Sequence, residues 1–440
     1  MMLGSSKTEK AAEMLLSKRG VRVGGLFPWY PMEIKRQLAE LFDTVIETLP
    51  QEKIYSIVML GSTPRGELSY RQQGDSIDIF SDYEFVIVYR QPFLKRELDL
   101  LDKQLSDLTE KWGIRSPLFH IDYGVASKAK FAVTPPTFWA FEAKNCGINV
   151  FGHDATELLP DVTTKNLDYG VLNELVLVRL WNMLLALNEG FVRDGGSEYE
   201  RFTVSLSYAR NALDILSILL PAEGTLLAGY ESRTKCFIND KHADGWEQYK
   251  ELFAAVTRFK LNKFEEGIDL LDTQSLFLDG FTKLLLVLSG ERADAVHVNP
   301  FAVDRIDFRR IFREKKVRQL RRKYMDFRLY TTYYQWKPGK ISTLWSDKLR
   351  QHLVASLLFM HFSLDGRLDP GWQLGYLKTA FDRFRLVAND DSICWISNDS
   401  FSENWLRLRR TILELMIVWF YGRSRESVSR LNNLMEWRDK

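Results

Sequence analysis

The feature that most constrains this chain is a change in hydrophobic period along its length. As far as about residue 160, short apolar runs with a period near two alternate with helical segments. From about 168 onward almost every segment repeats its apolar residues at three- and four-residue spacing. The first pattern predicts a small α+β domain, a mixed sheet with flanking helices, and the second a large all-α region. The predicted divisions are a lead-in over 1–29, an α+β domain over 30–160, a helical domain over 161–295, and a C-terminal helical region over 296–440 that could continue it. With 440 residues, the length suits two to three domains.

The α+β part reads as a series of elements. Pro31 opens a helix, MEIKRQLAELFDTVIETL. Strands are predicted at Ile54–Leu60, Asp82–Tyr89, Leu118–Val125 and Ile148–Phe151. A long helix runs to Trp112, and another follows Pro135-Pro136. Between the first two strands, Thr63 to Ser81 is polar, with Gly66 and Gly74 as turn signals. Helical spacing predicts further helices over 170–190, 200–220, 243–260, 262–290, 305–325, 345–363, 372–386 and 402–438.

Composition excludes several classes. The net charge of +2 is too small for a global polyanion partner, so any basic surface is local. The three cysteines, Cys146, Cys236 and Cys394, lack zinc-ligand spacing and fit a reducing compartment. Leu175–Leu187 is interrupted by Arg179 and Asn182, so no membrane span is expected. Residues 1–20 lack an apolar signal-peptide core. The expectation is a soluble cytoplasmic protein.

The chemistry concentrates in IVMLGSTPRGELSYRQQGDSIDIFSDYEFVIVYR. Strand alternation puts Asp82 and Glu84 on one face, about 7 Å apart along the backbone. Val86 and Val88 continue that face; Tyr83, Phe85, Ile87 and Tyr89 take the other. Two carboxylates crowded at the head of an apolar strand call for a cationic partner, for which a pair of magnesium ions about 3.5–4 Å apart would serve. In LFHIDYGV, Asp122 shares a face with His120 and Gly124, against strand propensity. If that strand lies beside the second, Asp122 completes an oxygen-only donor set suited to Mg²⁺ or Mn²⁺. Gly61-Ser62, directly after the first strand, opens a turn or helix whose backbone N–H groups can hold a triphosphate. Ser62 adds a hydroxyl donor and Arg65 a charged contact.

Gly-Ser after a strand, Asp-x-Glu opening the next and Asp on a third resemble the polymerase-β-like nucleotidyltransferase superfamily. The Asp-x-Glu variant is similar to aminoglycoside-type nucleotidyltransferases. INVFGHDATELLP, residues 148–160, is similar to the segment that closes the catalytic domain in many small-molecule members. The resemblance covers about residues 30–160. It implies an enzyme in which Asp82, Glu84 and Asp122 are catalytic and hold metal, while Gly61, Ser62 and Arg65 bind the NTP. An acceptor hydroxyl attacks the α-phosphate, and pyrophosphate leaves. One departure is the long gap between Gly61-Ser62 and Asp82, so the segment around SYRQQGDSIDIF must loop out. It carries Asp75 and Asp78, neither of which opens an apolar strand.

Other residues have plainer readings. The basic run RRIFREKKVRQLRRK, residues 309–323, could bind nucleic acid, but a solvated helix face is favoured. The aromatics that follow it read as core. His120 and His153 read as structural. Residues 201–233 resemble the helical partner domain found after many nucleotidyltransferase domains. There Arg210 lacks the downstream His of related nucleases, and Glu174 and Asp214 are only formal candidates for a general base. The expected activity is metal-dependent transfer of an NMP to a hydroxyl of a small molecule. The alternatives are transfer to a protein or a nucleic acid end, or a catalytically silent interaction protein on the same fold.

Overall fold

The computed structural model describes residues 23–73, 76–114, 116–239, 245–262, 264, 267–291, 300–311, 348–388 and 393–421. The chain divides into two compact units. The first runs to Asp168 and also takes in Leu226–Ser232; the second is the rest. A small mixed sheet with flanking helices is followed by a helical region, as the change in period predicts.

The first unit is built on a four-stranded sheet in which Ile121–Ser127, Tyr83–Tyr89, Ile54–Leu60 and Ile148–Gly152 lie side by side in that order. Its strands are β1 (Ile54–Leu60), β4 (Tyr83–Tyr89), β5 (Ile121–Ser127) and β6 (Ile148–Gly152). β1 pairs antiparallel with both β4 and β6, whereas β4 and β5 are parallel. The parallel pair needs a crossover, supplied by the helix between its strands.

Alternation sorts the side chains onto two cores. Ile57, Met59, Tyr83, Phe85 and Ile87 pack with helix α1 (Met32–Thr48) and helix α2 (Lys95–Trp112). Val58, Leu60, Val86 and Val88 pack on the opposite face with Phe131, Ala143, Ala155 and Leu159. Fully burying each such aliphatic side chain contributes about 1.5–3 kcal/mol. α1 starts after Pro31 and stops at Leu49, ahead of Pro50, which disfavours helix in the residue before it. α2 buries Leu101, Leu105 and Leu108 at helical spacing, and ends at Gly113 with φ +61°. At its start Glu97 accepts the Leu94 N–H at 2.7 Å and Lys53 at 2.8 Å, which ties α2 to the residue before β1. Two further helices cover the second face: α3 (Lys128–Ala132), which the sequence reading lacked, and α4 (Phe138–Cys146).

The segment expected to loop out is instead a β-hairpin, β2 (Tyr70–Gln73) with β3 (Ser76–Ile79). The Phe80 N–H donates to the Ser69 carbonyl at 2.8 Å and closes its base. Its signal is faint: Tyr70 is the one β-former in the four residues before Gly74-Asp75, and Ile77 and Ile79 follow. Asp78 accepts the Ser116 N–H at 3.3 Å; Asp75 lies outside the described residues.

The second unit is helical: Tyr169–Ala186, Glu198–Ala222, Lys250–Lys260, Leu270–Ser289, Lys348–Phe362, Pro370–Ala388 and Phe401–Tyr421 are its longer described helices. Ser197 and Glu200 form a capping box at the head of Glu198–Ala222, which is buried along most of its length. Asp214 within it pairs with Arg179, so that formal candidate for a base is spent on a buried ion pair. No described helix is long and apolar enough to cross a membrane. Residues 312–323 of the basic run, and the aromatics after it, lie outside the described residues.

Candidate active site

The head of β4 meets the end of β1 and the start of β5. β1 and β4 are antiparallel with Leu60 opposite Glu84; β4 and β5 are parallel with Glu84 opposite Asp122. Register partners share a face, so Glu84 and Asp122 stand on the same side of the sheet. Asp82 precedes β4 by one residue, and the Tyr83 N–H donates to the His120 carbonyl at 3.0 Å, joining the heads of the two strands. Tyr83 points the other way, fully buried, with its hydroxyl on Gln37 at 3.0 Å.

The electrostatics record this crowding. Burial, then the charges of Asp122 and Asp82, push the Glu84 carboxyl up to about 7, and Glu142 adds to this. The indole N–H of Trp139 donates to Glu84 and works the other way. Asp82 lies 2.8 Å from Nδ1 of His120, which brings that histidine beside the carboxylates. Asp122 is exposed at the sheet edge.

Gly61, the first residue after β1, has φ +69°. A Cβ there would stand 2.8 Å from Oε2 of Glu84, so a side chain at this position would displace the carboxylate, and the positive φ itself favours glycine. Residues 61–66 form a turn, the first of the two conformations the sequence allowed. Its bonds run from Arg65 N–H and Glu67 N–H to the Ser62 carbonyl, at 3.3 and 3.0 Å. The Tyr30 hydroxyl steadies it from α1's side, donating to the Thr63 carbonyl at 2.9 Å.

Arg65 does not stand open for an anion as expected. Its side chain is buried, with Nε 2.7 Å from Glu67 and a guanidinium nitrogen 3.4 Å from Glu142. Burial works against its charge, and Glu142 and then Glu67 overrule that and hold it protonated. Its guanidinium also lies over the ring of Tyr230, 5.7 Å from the centroid. Glu67 in turn accepts the Tyr230 N–H at 2.6 Å, which fastens residues 226–232 into this unit. Nothing in the sequence pointed to that return of the chain.

Trp139 and Glu142 were missed by sequence reasoning. They sit three residues apart on α4 and so share a face. That spacing was readable, but not which strand the helix covers.

The donor set suits a hard divalent cation: carboxylate oxygens only, with like charges close enough to raise Glu84. Among the described residues, however, no three Asp, Glu, His or Cys side chains already converge as a ligand group. Asp82 is turned to His120 and Glu84 to Trp139, so a cation would have to draw both carboxylates away from these partners.

No family model and no curated protein matches the chain. Among solved structures, it is similar to the spectinomycin adenyltransferase AAD(9) from Enterococcus faecialis, determined with ATP and spectinomycin. The TM-score is 0.32 and the identity 14%, over 55% of this chain and 98% of that one. That likeness is too slight to carry the fold or the chemistry, which rest on the geometry above.

Proposed function

We propose that the chain is a metal-dependent nucleotidyltransferase that moves an NMP from an NTP to a hydroxyl of a small acceptor. One observation carries the reading: Glu84 is flanked by Asp82 and Asp122, with the positive-φ Gly61 pressed against its carboxylate. This is the arrangement that the Gly-Ser, Asp-x-Glu and Asp motifs imply.

Asp82, Glu84 and Asp122 would hold the metal. When bound, Mg²⁺ or Mn²⁺ would neutralise charge on the triphosphate and the leaving pyrophosphate. Gly61 lets the chain approach phosphate without a side chain between, and Ser62 offers a hydroxyl donor. Arg65 acts through Glu67 and Glu142, holding the turn and α4 in place rather than gripping the nucleotide. The acceptor oxygen forms a bond to the α-phosphorus, and the bond from that phosphorus to the β-phosphate bridging oxygen breaks. Pyrophosphate leaves with that electron pair. The hydroxyl proton passes to solvent beside Asp122, the exposed carboxylate.

The test is incubation with each α-labelled NTP, Mg²⁺ and cell extract, following the label and pyrophosphate release. Label should reach a product with the parent protein and not with Asp82→Asn, whose unfolding curve should match the parent's. Full activity in that variant would sink the assignment.

A further inference from the structure

The row of side chains that carries Glu84 and Asp122 continues along the same face into a groove of about 390 Å³. Its floor begins with Val86 and Gly124, the next register pair on that face, about 7 Å along the strands from the carboxylates. Ala126 follows, Phe131 and Trp139 line the groove with them, and Lys130 is the one charged residue among its lining. Gly124 creates the opening: a Cβ there would meet only Val86, at 3.7 Å. Glycine is disfavoured within a strand unless something approaches the backbone closely.

Position identifies the occupant's role. Gly61 follows β1, on one side of β4; the groove lies toward β5, on the other. Phosphate held at the Gly61 turn therefore leaves the groove for the molecule that presents its hydroxyl at Asp122. Trp139 joins the two regions, lining the groove while its N–H donates to Glu84.

We propose that this groove seats the acceptor, and that the acceptor is a hydroxyl carried on an apolar or aromatic body. A polycationic aminocyclitol would meet mostly hydrocarbon walls, with Thr134 the one hydroxyl side chain in the lining and Lys130 repelling its ammonium groups, and each hydroxyl left without a partner costs roughly 1–3 kcal/mol. The acceptor role rests on the transfer chemistry proposed above; the site itself rests on the groove.

The experiment titrates the full-length protein with 2-naphthylmethanol by calorimetry, with spectinomycin as the polar counterpart and Mg²⁺–ATP titrated separately. The parent should bind 2-naphthylmethanol saturably. Gly124→Leu should weaken that binding at least tenfold, and Ala126→Leu should reproduce the loss if the first variant folds poorly. Absence of saturable probe binding, unchanged binding in both folded variants, or displacement of the probe by equimolar spectinomycin would overturn the groove assignment. Probe binding by a parent protein that does not bind Mg²⁺–ATP would instead overturn the transfer reading, and the acceptor role with it.

Discussion

Glu84 of β4 and Asp122 of β5 are register partners across the one parallel pair of the four-stranded sheet. Because both follow strand alternation, the same pairing that places Val86 beside Gly124 places these two acids side by side. Burial first, and then the charge of Asp122 that this pairing brings alongside, raise the Glu84 carboxyl.

Asp122 is the exposed member, so its removal should separate chemistry from stability. Asp122→Asn is expected to lower NMP transfer by about 10²–10³-fold, a loss typical of removing a group that stabilises or activates the reacting atoms. Its unfolding free energy should stay within about 0.5 kcal/mol of the parent, as for other exposed substitutions. Label transfer and urea unfolding on the same preparations check both. A variant that loses stability without losing transfer would show that Asp122 is structural.

Gly61→Ala combines two costs that a control separates. Its φ of +69° strains any side chain, and the new Cβ would press on Glu84. Gly113 has a similar φ of +61° with open space around its Cβ position. Gly113→Ala should cost about 1 kcal/mol from backbone strain alone. Gly61→Ala should cost more and should also suppress transfer. Equal losses in both variants would mean that Gly61 makes no special approach to Glu84.

Arg65→Met leaves Glu67 and Glu142 without their shared cation in a buried setting. Breaking such a network by removing one partner costs about 3–5 kcal/mol. Thermal and urea unfolding should show that loss. Arg65→Lys should recover it only in part, since an ammonium cannot serve two carboxylates with the guanidinium's planar fork. A fully stable Arg65→Met would show that this network does not hold the turn and α4 in place.

His361 gives the helical unit a pH dependence. The ring is fully buried, with Nε2 2.8 Å from the Leu180 carbonyl, and burial pushes its pKa down to about 4 from the usual 6.5. The unfolded chain therefore takes up a proton below pH 6.5 that the folded chain refuses until about pH 4. The contribution is fully present above pH 6.5, falls as pH drops through that window, and is constant below it. At about 1.4 kcal/mol per pH unit the full loss is roughly 3–4 kcal/mol. Urea unfolding of parent and His361→Asn at several values between pH 7 and 4 should give curves whose difference narrows in acid. Parallel curves would refute the assignment.

Much of the site was legible in the chain order of residues. The limits of β1 match the prediction, and those of β4 differ by one residue at its start. The hairpin at 70–79 was not recognised, because polar residues at its centre masked the alternation. Trp139, Glu142 and the capture of Arg65 were invisible for another reason. Each depends on which helix covers which strand, and no local pattern encodes that.

What the sequence determined alone is facing. Successive residues of a strand point to opposite sides by covalent geometry, so Glu84 and Val86 had to share one face, and Asp122 and Gly124 another strand's equivalent face. What tertiary structure decided is adjacency: that β5 lies parallel beside β4 with Glu84 opposite Asp122, and that α4 brings Trp139 to them. Strand neighbours and register follow from the summed burial of residues far apart in the chain, such as Val58, Val86 and Phe131 in one core. That sum exists only once the chain has closed on itself.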